Sequence, residues 1–288
     1  MHIIDILKYK TTSLSFEFFP PKTKEKENVL FETIKNLTKF KPNFASVTYS
    51  PSGISKINTI SWTKTIKHFF NIESMMHITC IASTKENVDS ILSDLENLGI
   101  DNVLALRGDI PADINKEQLP LNFKYAKDLI KYIKKYRKFC IGCAGYPEGH
   151  IESKDLVQGI EHLREKIDAG ANFIITQLFF ENKNFYNYYN LIQKKGIEAP
   201  VITGIMPITS INQILKFTEM CGATIPSELL KTMEGKSDKD IFNIGVDFSI
   251  KQVIDLVNNG FTKFHFYTLN NSKAVEMILN SVSSFLQT

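Results

Sequence analysis

Short apolar segments alternate with longer amphipathic segments along the chain. Eight segments are apolar almost throughout, which is typical of strands that are buried on both faces, as in a parallel sheet. We therefore predict eight strands: SLSFEFF (13–19), FASVTY (44–49), MMHITCI (75–81), NVLALRGD (102–109), FCIGCAGY (139–146), FIITQLFF (173–180), PVITGIMPI (200–208) and KFHFYTL (263–269).

The segments between these strands carry apolar residues every three or four positions, the spacing of an amphipathic helix. Examples lie at 28–40, 86–99, 125–136 and 210–220. Glycines stand where such helices should end, because glycine readily adopts the left-handed conformation of a helix terminus. Residues 223–260 are long for one helix and predict an extra helix before strand eight. The glycines are Gly99, Gly170, Gly196, Gly222 and Gly260.

Eight strand–helix units in about 250 residues indicate an α/β fold of the (β/α)8 barrel type. No linker rich in Pro, Gly or Ser divides the chain, so we expect one domain over residues 1–288. A doubly wound sheet is the competing architecture. Its usual signal, GxGxxG after the first strand, is absent. The first strand runs instead into Phe19-Pro20-Pro21.

Composition excludes several classes of protein. The chain has 288 residues, of which 43% are hydrophobic and 23% charged, and this excludes intrinsic disorder. A net charge of +3 gives no reason to expect nucleic-acid binding. No run approaches the ~18 apolar residues of a membrane helix, and the first residues lack the pattern of a signal peptide. We therefore expect a cytoplasmic protein with no membrane partner.

Cys140 and Cys143 form a CxxC motif within a predicted strand. Residues three apart on a strand point to opposite faces, so the two thiols should share neither a metal nor a disulfide. His77, His150, Cys80 and His265 likewise lack the spacing that places ligands on one helix face. We expect no metal site.

Polar residues stand near the carboxyl ends of seven of the eight strands. In a (β/α)8 barrel these ends meet at one mouth, where the chemistry takes place. Leaving a buried polar group unpaired costs about 1–3 kcal/mol, so their convergence predicts a binding site. The residues are Glu17, Thr48, Tyr49, His77, Thr79, Arg107, Asp109, Tyr146, Glu148, His150, Gln177 and Tyr267.

Glu17 is the first candidate for chemistry. The period of two places Glu17 on the opposite strand face from Phe16 and Phe18. Partial burial among aromatic rings should raise its carboxyl pKa and leave it protonated, as a general acid requires. The alternative is a structural glutamate paired with a lysine.

Arg107-Gly108-Asp109 ends the fourth strand. Gly108 permits close backbone approach to a ligand, and arginine suits bidentate phosphate contact, so the tripeptide fits a phosphate-bearing ligand with a polar heterocycle. An exposed turn is the alternative. His77 is equally compatible with a core histidine. Lys166, by position alone, belongs to a solvated helix face.

Eight segments taken together resemble the bacterial methylenetetrahydrofolate reductase family. The resemblance extends in order from about residue 13 to 271, over every predicted strand. The segments are SFEFFPPKT, SVTYSPSG, HITCIAST, ALRGDIP, GCAGYPEGH, DAGANFIITQLFF, TGIMPI and HFYTLN.

This resemblance implies a flavin-dependent (β/α)8 barrel in which NADH reduces FAD. FAD then passes a hydride to 5,10-methylenetetrahydrofolate, giving 5-methyltetrahydrofolate for methionine synthesis. Glu17 matches the general acid that protonates the folate and opens its five-membered ring. Flavin-contacting positions match Thr48, His77, Arg107, Gly108, Asp109, Ala126, Tyr146, His150 and Lys166, and His162 is expected to donate a hydrogen bond to the flavin cofactor. Positions contacting folate or nicotinamide match Asp109, Gln177, Gln213, Phe217 and Tyr267. The resemblance also implies a homo-oligomer.

The chain departs from the family pattern at two places. Asn271 stands where arginine is expected, although Lys273 is near enough to substitute for it. Gly159, His162 and Glu165 replace polar and basic residues expected near FAD. A redox-inactive folate-binding barrel and a flavin-free barrel lyase with a strand-end lysine are the alternative functions.

Overall fold

The computed structural model describes residues 1–49, 53–109 and 122–286. All eight predicted strands are present, and they pair in parallel in chain order. β8 returns to β1, so the sheet is closed and the (β/α)8 barrel is confirmed over the doubly wound alternative. The strands are β1 Ser13–Phe18, β2 Phe44–Val47, β3 Glu73–Thr79, β4 Asn102–Leu106, β5 Cys140–Gly145, β6 Phe173–Thr176, β7 Val201–Ile205 and β8 Lys263–Tyr267. Residues 50–52 and 110–111 of the family-like segments lie outside the described residues.

Helices separate the strands as the apolar spacing predicts. The stretch before β8 contains two helices, α9 and α10, and the expected extra helix is confirmed. All five glycines predicted at helix ends have positive φ. The helices are α1 Ile3–Tyr9, α2 Lys24–Thr38, α3 Gly53–His68, α4 Lys85–Asn97, α5 Ala126–Tyr136, α6 Leu156–Asp168, α7 Asn182–Lys194, α8 Ile211–Cys221, α9 Ser227–Met233, α10 Asp238–Asn258 and α11 Ser272–Val282. No helix within the described ranges is both long and apolar enough to cross a bilayer.

The strands place alternate side chains inside and outside the barrel. On β1, Phe16 and Phe18 belong to the core between sheet and helices, with Leu30 and Ile34 of α2. Ser15 and Glu17 point into the barrel, where both are buried. The face predicted for Glu17 is therefore confirmed.

The first helix, α1, closes the amino end of the barrel. Ile3 and Leu7 pack against interior side chains that include Phe44, Met75 and Phe173. The Asn102 side chain accepts a hydrogen bond from Ile3 N at 2.8 Å. Sequence analysis did not predict this seven-residue helix, because it is too short for its apolar spacing to repeat.

Cys140 and Cys143 lie on opposite faces of β5, as predicted. Cys140 packs in the cluster inside the barrel, with Ile3 and Leu7 of α1, whereas Cys143 packs in the core between the sheet and the helices. Burial raises the pKa of Cys140 to about 11 and also raises that of Cys143, so both thiols stay protonated at neutral pH.

Gly204 on β7 provides a test of the packing inside the barrel. A Cβ at this position would lie 2.2 Å from the Thr176 carbonyl oxygen and 2.7 Å from the Tyr267 hydroxyl. We expect Gly204→Ala to lower the free energy of unfolding by about 3 kcal/mol, at the upper end for overpacking. Urea unfolding measures the change.

Gly159→Ala is the matched control, because a Cβ there meets no atom closer than 3.9 Å. Alanine in a helix interior should leave stability unchanged or raise it slightly. Equal stabilities of the two variants would contradict the packing described for β7.

Candidate active site

Residues from many strand ends line one cavity at the carboxyl end of the barrel. Its floor is apolar and is formed by Leu104, Leu106, Ala144 and Ile175. Ten of the predicted site residues surround that floor, and eight of them belong to the twelve strand-end residues that were expected to converge. The ten are Glu17, His77, Arg107, Gly108, Asp109, Tyr146, His150, Gln177, Phe217 and Tyr267.

Inside the barrel, the Glu17 carboxylate lies next to two histidine side chains. Its Oε2 is 3.5 Å from Nε2 of His77 and 3.6 Å from Nε2 of His265. Nδ1 of His265 is 2.8 Å from the Ser15 hydroxyl, which donates a hydrogen bond to Phe264 O. Among the described residues, the basic groups within 4 Å of the Glu17 carboxylate are these imidazoles, and no lysine is among them.

His77 is a buried neutral imidazole. Burial lowers its pKa to about 4, because an imidazolium would lose its hydration; the Glu17 carboxylate opposes this shift and His265 adds to it. Its Nε2 and the Thr79 hydroxyl have no hydrogen-bond partner among the described residues. Unpaired buried polar atoms at a cavity indicate groups that a ligand would satisfy.

Gly108 lets the backbone approach the site closely. Its φ is +81°, and a Cβ would lie 2.8 Å from Cβ of Thr79. Only glycine satisfies both conditions without strain. The turn after β4 therefore presents backbone, not side chain, against Cβ and Cγ2 of Thr79.

Arg107 occupies the boundary between this inner cavity and a second one. Its guanidinium binds both carboxylate oxygens of Glu152, with Nη2 donating to Oε1 at 3.0 Å. This hydrogen bond is the main reason why the pKa of Arg107 is raised. The tripeptide 107–109 is thus part of a cavity wall, with Arg107 and Gly108 partly buried and Asp109 exposed.

The second, outer cavity lies between β4, α5, the loop after β5 and α6. Ala126, His162 and Lys166 line it together with Tyr125, Lys127, Glu152, Ser153, Gly159 and Glu165. It shares Leu106, Arg107, Ala144, Tyr146 and His150 with the inner cavity, so the two adjoin.

Lys166 points into the outer cavity. Its Nζ donates to the Ala144 carbonyl at 2.5 Å and lies 5.5 Å from the centre of the Tyr146 ring. Burial lowers its pKa. The solvated helix face expected from position alone is therefore wrong, because α6 turns this lysine toward β5.

Tyr146 and Tyr267 are held by their neighbours. The Tyr146 ring contacts His150 edge to face at 4.8 Å, and burial raises its pKa to about 12. The Tyr267 hydroxyl donates to Thr176 O at 2.6 Å. Burial is likewise the first reason that the pKa of Tyr267 is raised, and the Glu17 carboxylate adds to it. Both hydroxyls remain protonated at neutral pH.

Five predicted site residues are not among the described residues lining either cavity: Thr48, Tyr49, Thr79, Glu148 and Gln213. The Gln213 side chain bridges the start of α8: its Oε1 accepts from Thr209 N at 2.8 Å and its Nε2 donates to Pro207 O at 3.2 Å. Thr48 follows β2, and its carbonyl accepts from the Thr59 hydroxyl. Their predicted ligand contacts remain predictions.

Two of the residues at the family departures, Asn271 and Glu165, have partners within the chain. Asn271 accepts from Lys273 N and caps α11, while Lys273 Nζ lies 5.1 Å from the Phe242 ring centre. Glu165 pairs with Lys127 at 3.0 Å. Gly159 and His162 line the outer cavity.

Sequence analysis missed the roles of His265, Glu152 and Lys127. His265 could have been found, because it precedes Tyr267 by two positions on β8 and so shares its inward face. Glu152 and Lys127 carry no comparable signal, since their partners lie on other elements. Within the described part of the chain, no group of three His, Cys, Asp or Glu residues is arranged to hold a metal ion.

A sequence profile of the family described as methylenetetrahydrofolate reductase matches residues 2–283. The chain belongs to the methylenetetrahydrofolate reductase family. It is 37% identical over 264 residues to the 5,10-methylenetetrahydrofolate reductase of Salmonella typhimurium, covering 91% of this chain and 87% of that protein. It is 36% identical over 270 residues to methylenetetrahydrofolate reductase 1 of Schizosaccharomyces pombe, covering 92% of this chain and 45% of that protein. The chain thus spans less than half of this longer family member.

The family's barrel architecture also has a more distant structural neighbour. An uncharacterised protein from Clostridium thermocellum, described as binding two copies of 5-methyl-5,6,7,8-tetrahydrofolic acid, superimposes with a TM-score of 0.66. The match covers 98% of this chain and 97% of that one at 16% identity. At this identity the likeness concerns the fold.

The neutral state of His77 predicts how stability depends on pH. Its folded pKa of about 4 lies below the unfolded value of 6.5, so between these pH values the unfolded chain binds the additional proton. The contribution of His77 to the free energy of unfolding is complete above pH 6.5. It is lost as the pH falls toward 4, by up to about 1.4 kcal/mol per pH unit.

His77→Asn removes this loss, so the variant should lose less stability than the native chain over the same interval. Urea unfolding of both proteins from pH 7 to pH 4 measures the difference. Parallel losses in the two proteins would show that His77 does not remain neutral inside the barrel.

Proposed function

We propose that the chain is a methylenetetrahydrofolate reductase that converts 5,10-methylenetetrahydrofolate to 5-methyltetrahydrofolate with NADH, through FAD in a ping-pong sequence. The observation that carries this proposal is the placement of Glu17. Its carboxyl lies at the wall of an apolar cavity, beside a neutral imidazole, in a member of this family.

The two adjoining cavities fit the two ends of FAD. The inner cavity offers an apolar floor, the close backbone of Gly108 and the unpaired Nε2 of His77, which suit a polar heterocycle. Arg107 stands where the cavities meet, and Lys166 lies in the outer cavity against Ala144 and Tyr146, which both cavities share; these two cations would hold the diphosphate. When bound, FAD would supply the hydride carrier between nicotinamide and folate.

Glu17 would hold a proton at its carboxyl and donate it to a nitrogen of the incoming folate, which opens the five-membered ring. The flanking imidazole of His77 is neutral, so it contributes no positive charge that would stabilise the ionised form of the carboxyl. His265 and Ser15 fix the position of the carboxyl from below. Protonated carboxyls in positioned sites typically contribute 10²–10⁴-fold as general acids.

The folate would lie between Glu17 and the opposite wall of the inner cavity. Gln177 and Phe217 line that wall, and Tyr267 is fixed beside Glu17 by β1–β8 pairing. Asp109 at the rim would face both flavin and pterin. Gln213 would act on the folate only after releasing one of its contacts to the start of α8. Position 271 has Asn271, which caps α11, and so provides no arginine to bind the glutamate tail of the folate.

Two other functions remain as competitors. A barrel lyase that forms a Schiff base needs a lysine at the reacting centre, and none is among the described residues lining the inner cavity. A folate-binding barrel without redox activity would keep the folate-facing residues but bind no flavin. The visible spectrum of the purified protein separates these cases, because a flavoprotein is yellow and NADH bleaches it without oxygen.

Glu17→Gln tests the proton-donor role. The amide keeps the shape of the side chain but has no acidic proton, so folate reduction should fall at least ~100-fold. Reduction of the flavin by NADH needs no proton from Glu17 and should proceed at the native rate. Anaerobic stopped-flow spectroscopy measures the two half-reactions separately.

Glu161→Gln is the control, because Glu161 lies on the outer face of α6 and pairs with Lys195. It should alter neither half-reaction. Native folate turnover by Glu17→Gln would rule out the proton-donor role. A protein that gains no flavin and no activity with added FAD would rule out the reductase itself.

A further inference from the structure

The outer cavity contains its own counter-ions. Both terminal nitrogens of Arg107 contact the Glu152 carboxylate, one of them at 3.0 Å. Lys127 Nζ contacts Glu165 Oε1 at 3.0 Å. All four side chains line the same cavity, so its arginine and one of its lysines each have a carboxylate as partner.

The two partners of the Arg107 pair differ in exposure to solvent. Arg107 lies at the end of β4, its side chain is 24% exposed, and its Nε donates to the Gly108 carbonyl at 3.4 Å. Glu152 lies on the loop after β5 and is 57% exposed. Rotation of the Glu152 side chain toward water would free the guanidinium without moving the barrel.

A diphosphate that binds Arg107 bidentately needs the same two nitrogens that Glu152 uses. Ligand and carboxylate therefore compete for one group. The Lys127–Glu165 pair presents the same competition with a point charge, between side chains that are 36% and 45% exposed. Solvent weakens so exposed a pair, and its effect should be the smaller of the two.

We propose that Glu152, with Glu165 in a lesser role, is an internal competitor for the diphosphate of the dinucleotide and thereby sets how tightly the outer cavity binds it. The inference rests on the proposed function for the identity of FAD as the ligand. Its chemistry requires only a ligand that carries a diphosphate, for which ADP is a sufficient probe.

The competition gives a result that simple loop anchoring does not. If the Arg107–Glu152 pair merely held the loop in place, its removal would loosen the cavity and weaken binding of every ligand. If Glu152 competes with phosphate, its removal strengthens binding only of ligands that carry phosphate.

The test compares Glu152→Gln, Glu165→Gln and the native chain, with Glu161→Gln as a control carboxylate on α6 that is not among the residues lining the outer cavity. Dissociation constants are measured for FAD by flavin fluorescence, and for ADP and riboflavin by calorimetry on protein freed of flavin. Thermal unfolding verifies that each variant is folded.

We expect Glu152→Gln to bind FAD and ADP about fivefold more tightly, the factor for an exposed ion pair of about 1 kcal/mol. Riboflavin has no phosphate, so its dissociation constant should not change. Glu165→Gln should shift in the same direction by a smaller factor, and it supplies the test if Glu152→Gln does not fold. Glu161→Gln should match the native chain.

Unchanged or weaker ADP binding by both cavity variants would overturn the proposal, as would an equal gain for riboflavin. The identity of the ligand and the competition by Glu152 are tested separately. If the native chain binds no FAD while Glu152→Gln still binds ADP more tightly, the assignment of FAD fails and the internal competitor stands.

Discussion

Pairing of β1 with β8 is the contact on which the site depends. It closes the barrel and sets Glu17 directly opposite Tyr267. Beyond the last pair, the Thr268 hydroxyl donates to Glu17 O at 2.6 Å, and the Asn270 side chain bonds both the N–H and the carbonyl of Phe19. Leu269 and Asn270 adopt positive φ to make these contacts. The first and last strands, 250 residues apart in the register of Ser15 and His265, thus assemble the proposed proton donor.

Closure also explains how polar groups persist inside the barrel. Ser15, Ser46 and His265 satisfy one another below Glu17, and Tyr267 is satisfied by a backbone carbonyl. Among the described residues, His77 Nε2 and the Thr79 hydroxyl on β3 have no hydrogen-bond partner, and neither has the Ser13 hydroxyl at the amino end of β1. Of these three residues only His77 lines the inner cavity, so its imidazole is the unpaired group that a ligand there would meet.

The sequence predicted the parts of the fold that follow from local pattern. Strands buried on both faces read as apolar runs, and the period of two gave the inward face of Glu17. Helix ends followed from the glycines. The short helix α1 and the exact partners of Arg107, Lys127 and Gln213 did not follow, because those contacts join elements that are distant in the chain. Lys166 shows the limit: its surroundings depend on how α6 is rotated against β5, which a single lysine in a helix does not reveal.

Helix α1 gives the barrel a further property. With Ile3 and Leu7 seated among the interior side chains, the amino end is plugged by apolar residues. The barrel is therefore open at its carboxyl end and closed at its amino end. A molecule bound at Glu17 would enter and leave through the same opening. Under the proposed function, one large substrate would have to dissociate before the next could bind.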